Sequence, residues 1–405
     1  MADGVWTFEL CDQVDTVLAD ITGYVTATVS PRLNRPFSLV LNGPSDQDVW
    51  KTIHTDGDRY LTEGIRTVKA KRNGVLIANP EIWRLDYTGD ENTQQAQITC
   101  YDSMIRLAKR NTRDDVGRVA DWIFPDTIDA GALVQELFQN SVTYDDTGVP
   151  FGVPRVFPID CTTGAFTAAT DVAEALSDGP MPLGDMVYTR LTDTGVCDVM
   201  LVPTDTAAGS DPGIYGIVHC LDTWGSDLTG TVHFDYDAGA NNVKAIRRSF
   251  DMDAVTNWLR YLLGPKIRSD HWRGSLEAVD PAWGTNAYRD AEAASRTRYG
   301  SLPIYAVFDS DANSARAFYR ALWKADSTLR INPRQLLYLT PAGNSAFEPF
   351  AHYNVGDRVA TNIGDSVGPA LSDAMQRIYG FDLQVDVNGV EDPGELIVSP
   401  DGASA

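Results

Sequence analysis

The sequence predicts an α+β, mainly-β chain in which strand-rich ends flank an α/β middle. Three observations predict it. Residues 5–110 alternate apolar and polar side chains in short segments broken by tight turns. Helical spacing begins with a short run from Asp102 and otherwise falls in an acidic stretch, 111–235, and a later interlude between about 284 and 330. The chain then closes on a strict two-residue alternation. At 405 residues it exceeds what one hydrophobic core organises, so about two to four domains are expected. Hydrophobic residues at 43% and charged residues at 22% place it among folded globular chains and exclude a disordered or collagen-like one.

The first strands are Tyr24–Val29, β-branched and alternating, and Phe37–Leu41 after the breaks at Pro31 and Pro36. Thr67–Lys71 and Val75–Ala78 flank Arg72-Asn73-Gly74, where Asn-Gly supplies the positive φ angles of a two-residue hairpin turn. A second hairpin pairs Ile82–Tyr87 with Gln95–Cys100 around Gly89-Asp90. Trp83, Leu85 and Tyr87 share one face, and Ala96, Ile98 and Cys100 another. From Asp102, the run Met104, Ile105, Leu107, Lys109 and Arg110 reads as a short capped helix. Such half-buried antiparallel strands make a small barrel or sandwich over residues 1–110.

In the middle region, Ile128, Leu133, Val134, Leu137 and Phe138 recur at helical spacing, as do Phe166, Val172 and Leu176. Met186, Val187 and Leu191 suggest a third helix, and Cys197–Val202 a strand. Strands return at Ile214–Cys220, Thr231–Tyr236 and Val243–Phe250. The helix formers Arg289–Ala294 and Ala315–Trp323 interrupt them. In Tyr379–Val387 every odd position is apolar, and Asn388-Gly389 turns the chain toward Leu396–Val398. No fixed-period repeat occurs, although the first and last thirds share a strand-rich character that the middle lacks.

The net charge of −23 is unevenly spread: residues 111–235 hold 20 acids against 4 bases, so −16 lies there. Such a surface repels a phosphate backbone and excludes a nucleic-acid grip. It reads either as a solvated face or as a wall past which nucleic acid slides without sticking. No apolar run of about 18–20 residues is present, and the N-terminus MADGVWTFELCD lacks a signal-peptide pattern, so a chain made and folded in cytoplasm is expected. The scattered cysteines Cys11, Cys100, Cys161, Cys197 and Cys220 read as reduced, partly buried thiols.

Motifs for chemistry are missing. The histidines (His54, His219, His233, His271 and His352) show no zinc spacing, and no cofactor or metal site is expected. No serine or cysteine stands in a nucleophile motif, and no glycine-rich phosphate cradle occurs. Asp309-Ser310-Asp311-Ala312-Asn313 begins like a calcium loop, yet Ser314 and Arg320 stand where that loop needs Gly and Glu; it reads as a helix N-cap. Asp145 and Asp146 read as turn residues. Trp50, Trp224, Trp258, Trp272, Trp283 and Trp323 suit either a sugar-binding face or core and interface anchors. The predicted site is therefore an assembly surface, with no catalytic residue assigned.

Several stretches resemble the tail-hub family of long-tailed phages, in particular minor tail proteins of actinobacterial siphophages. They are WTFELCDQVDTVLADI, NGVLIANPEIWRLDYTGDENTQQAQITCYDSMIRLAKR, YNVGDRV and RIYGFDLQVDVNGVEDPGELIVSP. The resemblance implies a β-barrel domain at 1–110, an acidic α/β domain at 111–235, and a second barrel at 236–256 plus 336–405 interrupted by a helical insertion at 257–335. It further implies a homotrimer in the virion tail tip whose two barrels per chain match a six-fold tube. Its implied partners are the distal tail ring, the C-terminus of the tape-measure protein, other tail-tip or receptor-binding proteins, and genomic DNA in transit. A tail protein binding or cleaving host cell-surface glycan is the alternative from another class.

Overall fold

The computed structural model describes residues 4–12, 15–45, 66–89, 94–105, 198–203, 216–221, 224–252, 294–300, 334–342 and 346–400. It also describes the strands at 159–160, 258–263, 267–271 and 303–308, and the single positions 50, 61, 63, 184 and 255. The N-terminal strands are β1 (Trp6–Cys11), β2 (Val17–Asp20), β3 (Thr26–Ser30), β4 (Ser38–Pro44), β5 (Thr67–Arg72), β6 (Val75–Ala78), β7 (Glu81–Gly89) and β8 (Gln94–Tyr101). Then come β9 (Ile159–Asp160), β10 (Asp198–Pro203), β11 (Gly216–Leu221), β12 (His233–Tyr236) and β13 (Val243–Asp251). The remainder are β14 (Trp258–Leu263), β15 (Ile267–His271), β16 (Pro303–Phe308), β17 (Arg334–Pro341), β18 (Arg358–Ile363), β19 (Leu371–Asp386) and β20 (Glu391–Ser399).

Fourteen of these strands form one sheet, in the order β13-β17-β20-β19-β3-β4-β8-β7-β5-β1-β2, with β6 on β5, β18 on β19 and β12 on β18. All its pairings are antiparallel except β12 with β18. The fold is thus mainly antiparallel β. The path ends at β13 and β2, and the sheet does not close into the two barrels that the sequence and the resemblance suggest.

Two cores lie against this sheet. The first gathers Trp6, Phe8, Leu10, Val29, Leu39, Leu41, Trp50, Val68 and Ile98, and takes Leu383 and Val385 from the far end of the chain. The second gathers Phe234, Leu337, Leu339, Tyr353, Val359, Ile378, Phe381, Leu396 and Val398, and takes Leu33 from the near end. Sixteen-residue β19 is what both share. Its middle serves the second core and its end the first, with register shifts at Ile378/Gly380 and Phe381/Leu383 where it passes between them. Bulges of this kind bend a strand and re-aim its side chains.

The predicted turns form as their sequences dictate. Asn73 (φ 51°) and Gly74 (φ 78°) occupy the two left-handed positions between β5 and β6, where Arg72 pairs with Val75. At the β19–β20 hairpin Gly389 has φ 80°, and Asp386 Oδ1 accepts the N–H groups of Asn388 and Val390. Ser103–Ile105 make a short 3-10 turn at the predicted helix start.

Three expectations need correction. In β7 a bulge between Ile82 and Arg84 puts Ile82 opposite Cys100 and Leu85 opposite Ile98, so the face of Ile98 and Cys100 is met by Ile82 and Leu85. Trp83 is the bulged residue and drops out of the predicted stripe. Second, the region read as a helical insertion holds a three-stranded sheet, β15-β14-β16, with β16 parallel to β14 and antiparallel pairing of β14 with β15. A helix spans 294–299, but Ala315–Trp323 and most of Arg289–Ala294 lie outside the described residues. Third, β17 was not anticipated, because Leu336, Leu337, Tyr338 and Leu339 form a continuous apolar run without alternation. The helices predicted at 128–138, 166–176 and 186–191 also fall outside the described residues; the predicted strand near 197–202 is β10, paired with β11.

Candidate assembly surface

The two cores meet along a seam. Along it β3 pairs with β19, from Leu383↔Val29 to Asp386↔Thr26. Ser30 donates its hydroxyl to Asp382 Oδ1 at 2.6 Å, and Arg32 donates to Asp382 and to the Phe381 and Pro31 carbonyls. Leu33 N–H closes onto the Tyr379 carbonyl at 2.8 Å.

A second weld is ionic. Arg72, at the end of β5, forms a two-pronged pair with Glu391, at the start of β20: Nε to Oε1 at 2.6 Å and Nη2 to Oε2 at 2.9 Å. Trp6 Nε1–H also donates to Glu391 Oε1, at 2.6 Å, and Glu348 approaches Arg72 at 3.3 Å. The Glu391 side chain is 1% exposed and that of Arg72 7%. Hydrogen bonding to Glu391, above all, raises the guanidinium's pKa further. Gly4 lies directly over this pair; a Cβ there would collide with Glu391 Oε1 and the Arg72 side chain. Beside it, Phe350 packs edge-on to Trp6 of the first core (6.1 Å) and to Phe381 of the second (5.2 Å). Its φ of 62° is unusual for a bulky residue and marks a backbone held there by its surroundings.

A third node ties the middle region to this body. Asp198, at the start of β10, is buried and accepts from Asn34 Nδ2 (2.8 Å), the Trp224 N–H (2.8 Å) and Arg377. Arg377 also reaches the carbonyls of Trp224 and Gly356.

Among the described residues Val17, Tyr87, Phe250, Met252 and Met375 are exposed apolar side chains, and five further exposed valines stand near one another. Val5 is 66% exposed, Val75 64%, Val25 58%, Val387 57% and Val390 48%. Asn73 N–H donates to the Val5 carbonyl at 2.7 Å, and Val5 N–H to Asn73 Oδ1 at 2.8 Å, which sets Val5 beside the β5–β6 tip. Gly4 and Gly389 approach so closely that a Cβ on Gly389 would lie 3.0 Å from the Gly4 carbonyl, which brings the β19–β20 tip alongside. The pairing of Thr26 with Asp386 places Val25 and Val387 next to each other at the end of that ladder. Five exposed valines thus gather where two hairpins turn and two strands begin. Exposed apolar clusters of this kind mark contact surfaces.

The residues singled out from sequence do not converge. Trp50 is 1% exposed, packed in the first core, and Trp224 is half-buried beside Asp198, so neither offers an open sugar platform. Trp258 begins β14; Trp272, Trp283 and Trp323 lie outside the described residues. His233 is half-buried on β12, His219 lies on β11, His271 ends β15, and exposed His352 accepts the Glu348 N–H at Nδ1 (3.0 Å). His54, Asp145, Asp146 and Asp309–Asn313 fall outside the described residues. Among the described residues no cluster of three or more His, Cys, Asp or Glu could hold a metal ion. Also among them, no helix is long and apolar enough to cross a membrane. Cys11 and Cys100 are free and buried; burial pushes the Cys11 thiol up to about 12 and raises that of Cys100 too, which leaves both unreactive. Sequence reasoning missed the Arg72–Glu391 and Asp198–Arg377 pairs, whose partners stand far apart along the chain.

No protein-family model matches this chain, and no curated protein matches it in sequence. Solved structures do match. The 43 kDa tail protein of prophage MuSo2 from Shewanella oneidensis aligns over 99% of this chain and 100% of its own, at TM-score 0.53 and 12% identity. A tail protein from Neisseria meningitidis aligns over 98% of both chains at TM-score 0.52 and 9% identity. The fold is shared with phage tail proteins. A prophage tail protein from Listeria monocytogenes extends the likeness, at TM-score 0.52 and 11% identity, over 98% of this chain and 95% of its own. Each alignment spans nearly the whole of this chain.

Proposed function

We propose that this chain is a structural, non-catalytic component of a phage-type tail, placed at the tail tip as a homotrimer. The observation that carries the reading is the end-to-end likeness of its fold to three tail proteins. The welded seam and the exposed valine cluster support it, since a scaffold needs a rigid body and a contact surface. Each chain contributes two similar β lobes, one over residues 1–110 and one over 236–256 plus 336–405, so three chains present six units to a six-fold tube. The trimer joins the distal tail ring to the tip, meets the C-terminus of the tape-measure protein and further tip or receptor-binding proteins, and encloses the channel through which DNA leaves. The acidic region 111–235 keeps the phosphate backbone from sticking to it. No cofactor is required. Imaging of an intact tail tip tests this: three copies around the axis below the tube are expected, and peripheral or single copies would overturn it.

A further inference from the structure

We infer that Lys69 and Asp15 become joined by an isopeptide bond, formed by the folded chain itself, which staples the β1–β2 turn to β5. The starting observation is a lysine–carboxylate pair shut off from water on both sides. Lys69 Nζ lies 2.7 Å from Asp15 Oδ2, with the lysine side chain 4% exposed and that of the aspartate 0%. Among the described residues, the other ion pairs with both partners under a tenth exposed are Arg72–Glu391 and Arg377–Asp198, and both use arginine. A guanidinium keeps its proton and is no nucleophile, whereas burial makes a lysine ammonium give its proton up.

Two properties of the fold favour the reaction. The first is desolvation. Two full charges are held out of water, a state that burial penalises, and the amide they can form carries no charge. The second is placement. Asp15 has φ 65°, a left-handed angle that a non-glycine residue keeps only where its surroundings hold it. The holding contacts are local: Asp15 N–H donates to the Asp12 carbonyl at 3.2 Å, Asp12 N–H to the Thr16 carbonyl at 3.0 Å, and Thr16 N–H to Asp12 Oδ1 at 2.8 Å. This turn presents the carboxylate to a lysine on another strand, so the encounter of the two groups is already made.

The auxiliary groups that such a step needs stand beside the pair. Asn79 Nδ2 donates to Asp15 Oδ1 at 3.0 Å, on the oxygen where negative charge develops as the carboxyl carbon is attacked. Glu9 is the direct partner of Lys69 in the β1–β5 ladder, so the two side chains share one face, and its carboxylate already holds the Lys71 ammonium at 2.8 Å. The Cys11 thiol, raised chiefly by burial, also feels the charges of Lys69, Asp15 and Glu9, which sets all three around it.

The step balances without an oxidant or other co-reactant. Within the ion pair the ammonium passes one proton to Asp15, giving an amine and a carboxylic acid. The Nζ lone pair attacks Cγ and the N–C bond forms. Glu9 takes a proton from the nitrogen and hands it to the departing hydroxyl, the C–O bond breaks, and one water leaves. The product suits its position. The path of the large sheet ends at β2, beyond β1 and β5, so an amide from the β1–β2 turn to β5 fastens that open end across three strands.

The test is the intact mass of the full-length chain, folded, incubated and then denatured, with its N-terminus assigned. The unmodified chain should be lighter than its sequence by one water, and its protease digest should hold a branched peptide that joins the segment of Asp15 to that of Lys69. Lys69→Arg and Asp15→Ala should keep the full masses of their sequences. Glu9→Gln should form the bond from freshly refolded chain more slowly by on the order of a hundredfold; an unchanged rate overturns the role given to Glu9. The unmodified chain decides the main question by itself, whatever the variants do to folding. Its full sequence mass after prolonged incubation in the folded state overturns the bond and leaves an ordinary buried ion pair, and so does a missing water that the digest maps to any other residue.

Discussion

Replacing Arg72 by methionine removes the cation from a carboxylate that has almost no access to water. In the folded chain Glu391 receives two hydrogen bonds from Arg72 and one from Trp6 Nε1–H, and its side chain is 1% exposed. After the substitution only the indole donor remains. Breaking a buried pair from one side typically costs about 3–5 kcal/mol, because the remaining charge is left desolvated and unmatched. That is a large share of the roughly 5–15 kcal/mol that holds a typical domain together. Replacing both partners, as in Arg72→Met/Glu391→Leu, removes the stranded charge of Glu391 but leaves the Trp6 indole N–H and Glu348 without these partners, so the double variant should cost clearly less than the sum of the two single variants without reaching the stability of the unmodified chain. Urea titration followed by tryptophan fluorescence is the assay, with Trp6 reporting from the site itself. Should Arg72→Met cost less than about 1 kcal/mol, or should the double variant cost the sum of the two single ones, the pair is not the weld described here.

Four further predictions follow the same logic. Burial raises the Asp102 carboxyl from 3.8 to about 7 in the folded chain, against the N–H groups of Phe37 and Met104 that favour its ionised form. The folded state therefore holds this proton more tightly than the unfolded state between about pH 4 and 7. This group's contribution is most favourable at the acid end and falls as pH rises, by on the order of 4 kcal/mol at most. Asp102→Asn should remove that fall, read as the difference between the two chains' urea midpoints across the pH range; parallel curves would refute it. Phe381→Ala, which empties a site ringed by Phe350 and Tyr353, should cost about 3–5 kcal/mol and lower the thermal midpoint. Arg377→Met should leave Asp198 buried without its cation and speed amide exchange through Asp198–Pro203; unchanged protection would count against the node. Gly4→Ala should reproduce part of the Arg72→Met loss, because the added methyl drives into the same ion pair; full stability in urea would show that the N-terminal segment is not seated there.

Local chemistry alone determined the parts of this protein that depend on neighbouring residues. Asn73-Gly74 specifies its turn because few other residue pairs accept two left-handed backbone angles, and at Asn388-Gly389 the glycine takes the one left-handed position while Asp386 caps the turn. The alternation of Leu383, Gln384 and Val385 specifies a half-buried strand because successive side chains point to opposite faces. Those signals made a mainly-β chain legible. They could not say that β19 serves two cores, that Trp83 is bulged out of its stripe, or that the sheet stays open. Bulges and strand partners are settled by which long-range packing leaves the fewest polar groups unmatched, and a two-residue period carries no trace of that choice. The continuous apolar run Leu336–Leu339 hides a strand because its residue types do not alternate, although in the fold Leu337 and Leu339 are buried while Leu336 and Tyr338 are only half-buried. The assembly surface needed tertiary structure most. Val5, Val75 and Val387 are ordinary valines in the sequence. Only folding, by joining residues such as Arg72 and Glu391 from opposite ends of the chain, brings them to one exposed place, because desolvated charges must find each other wherever the chain puts them.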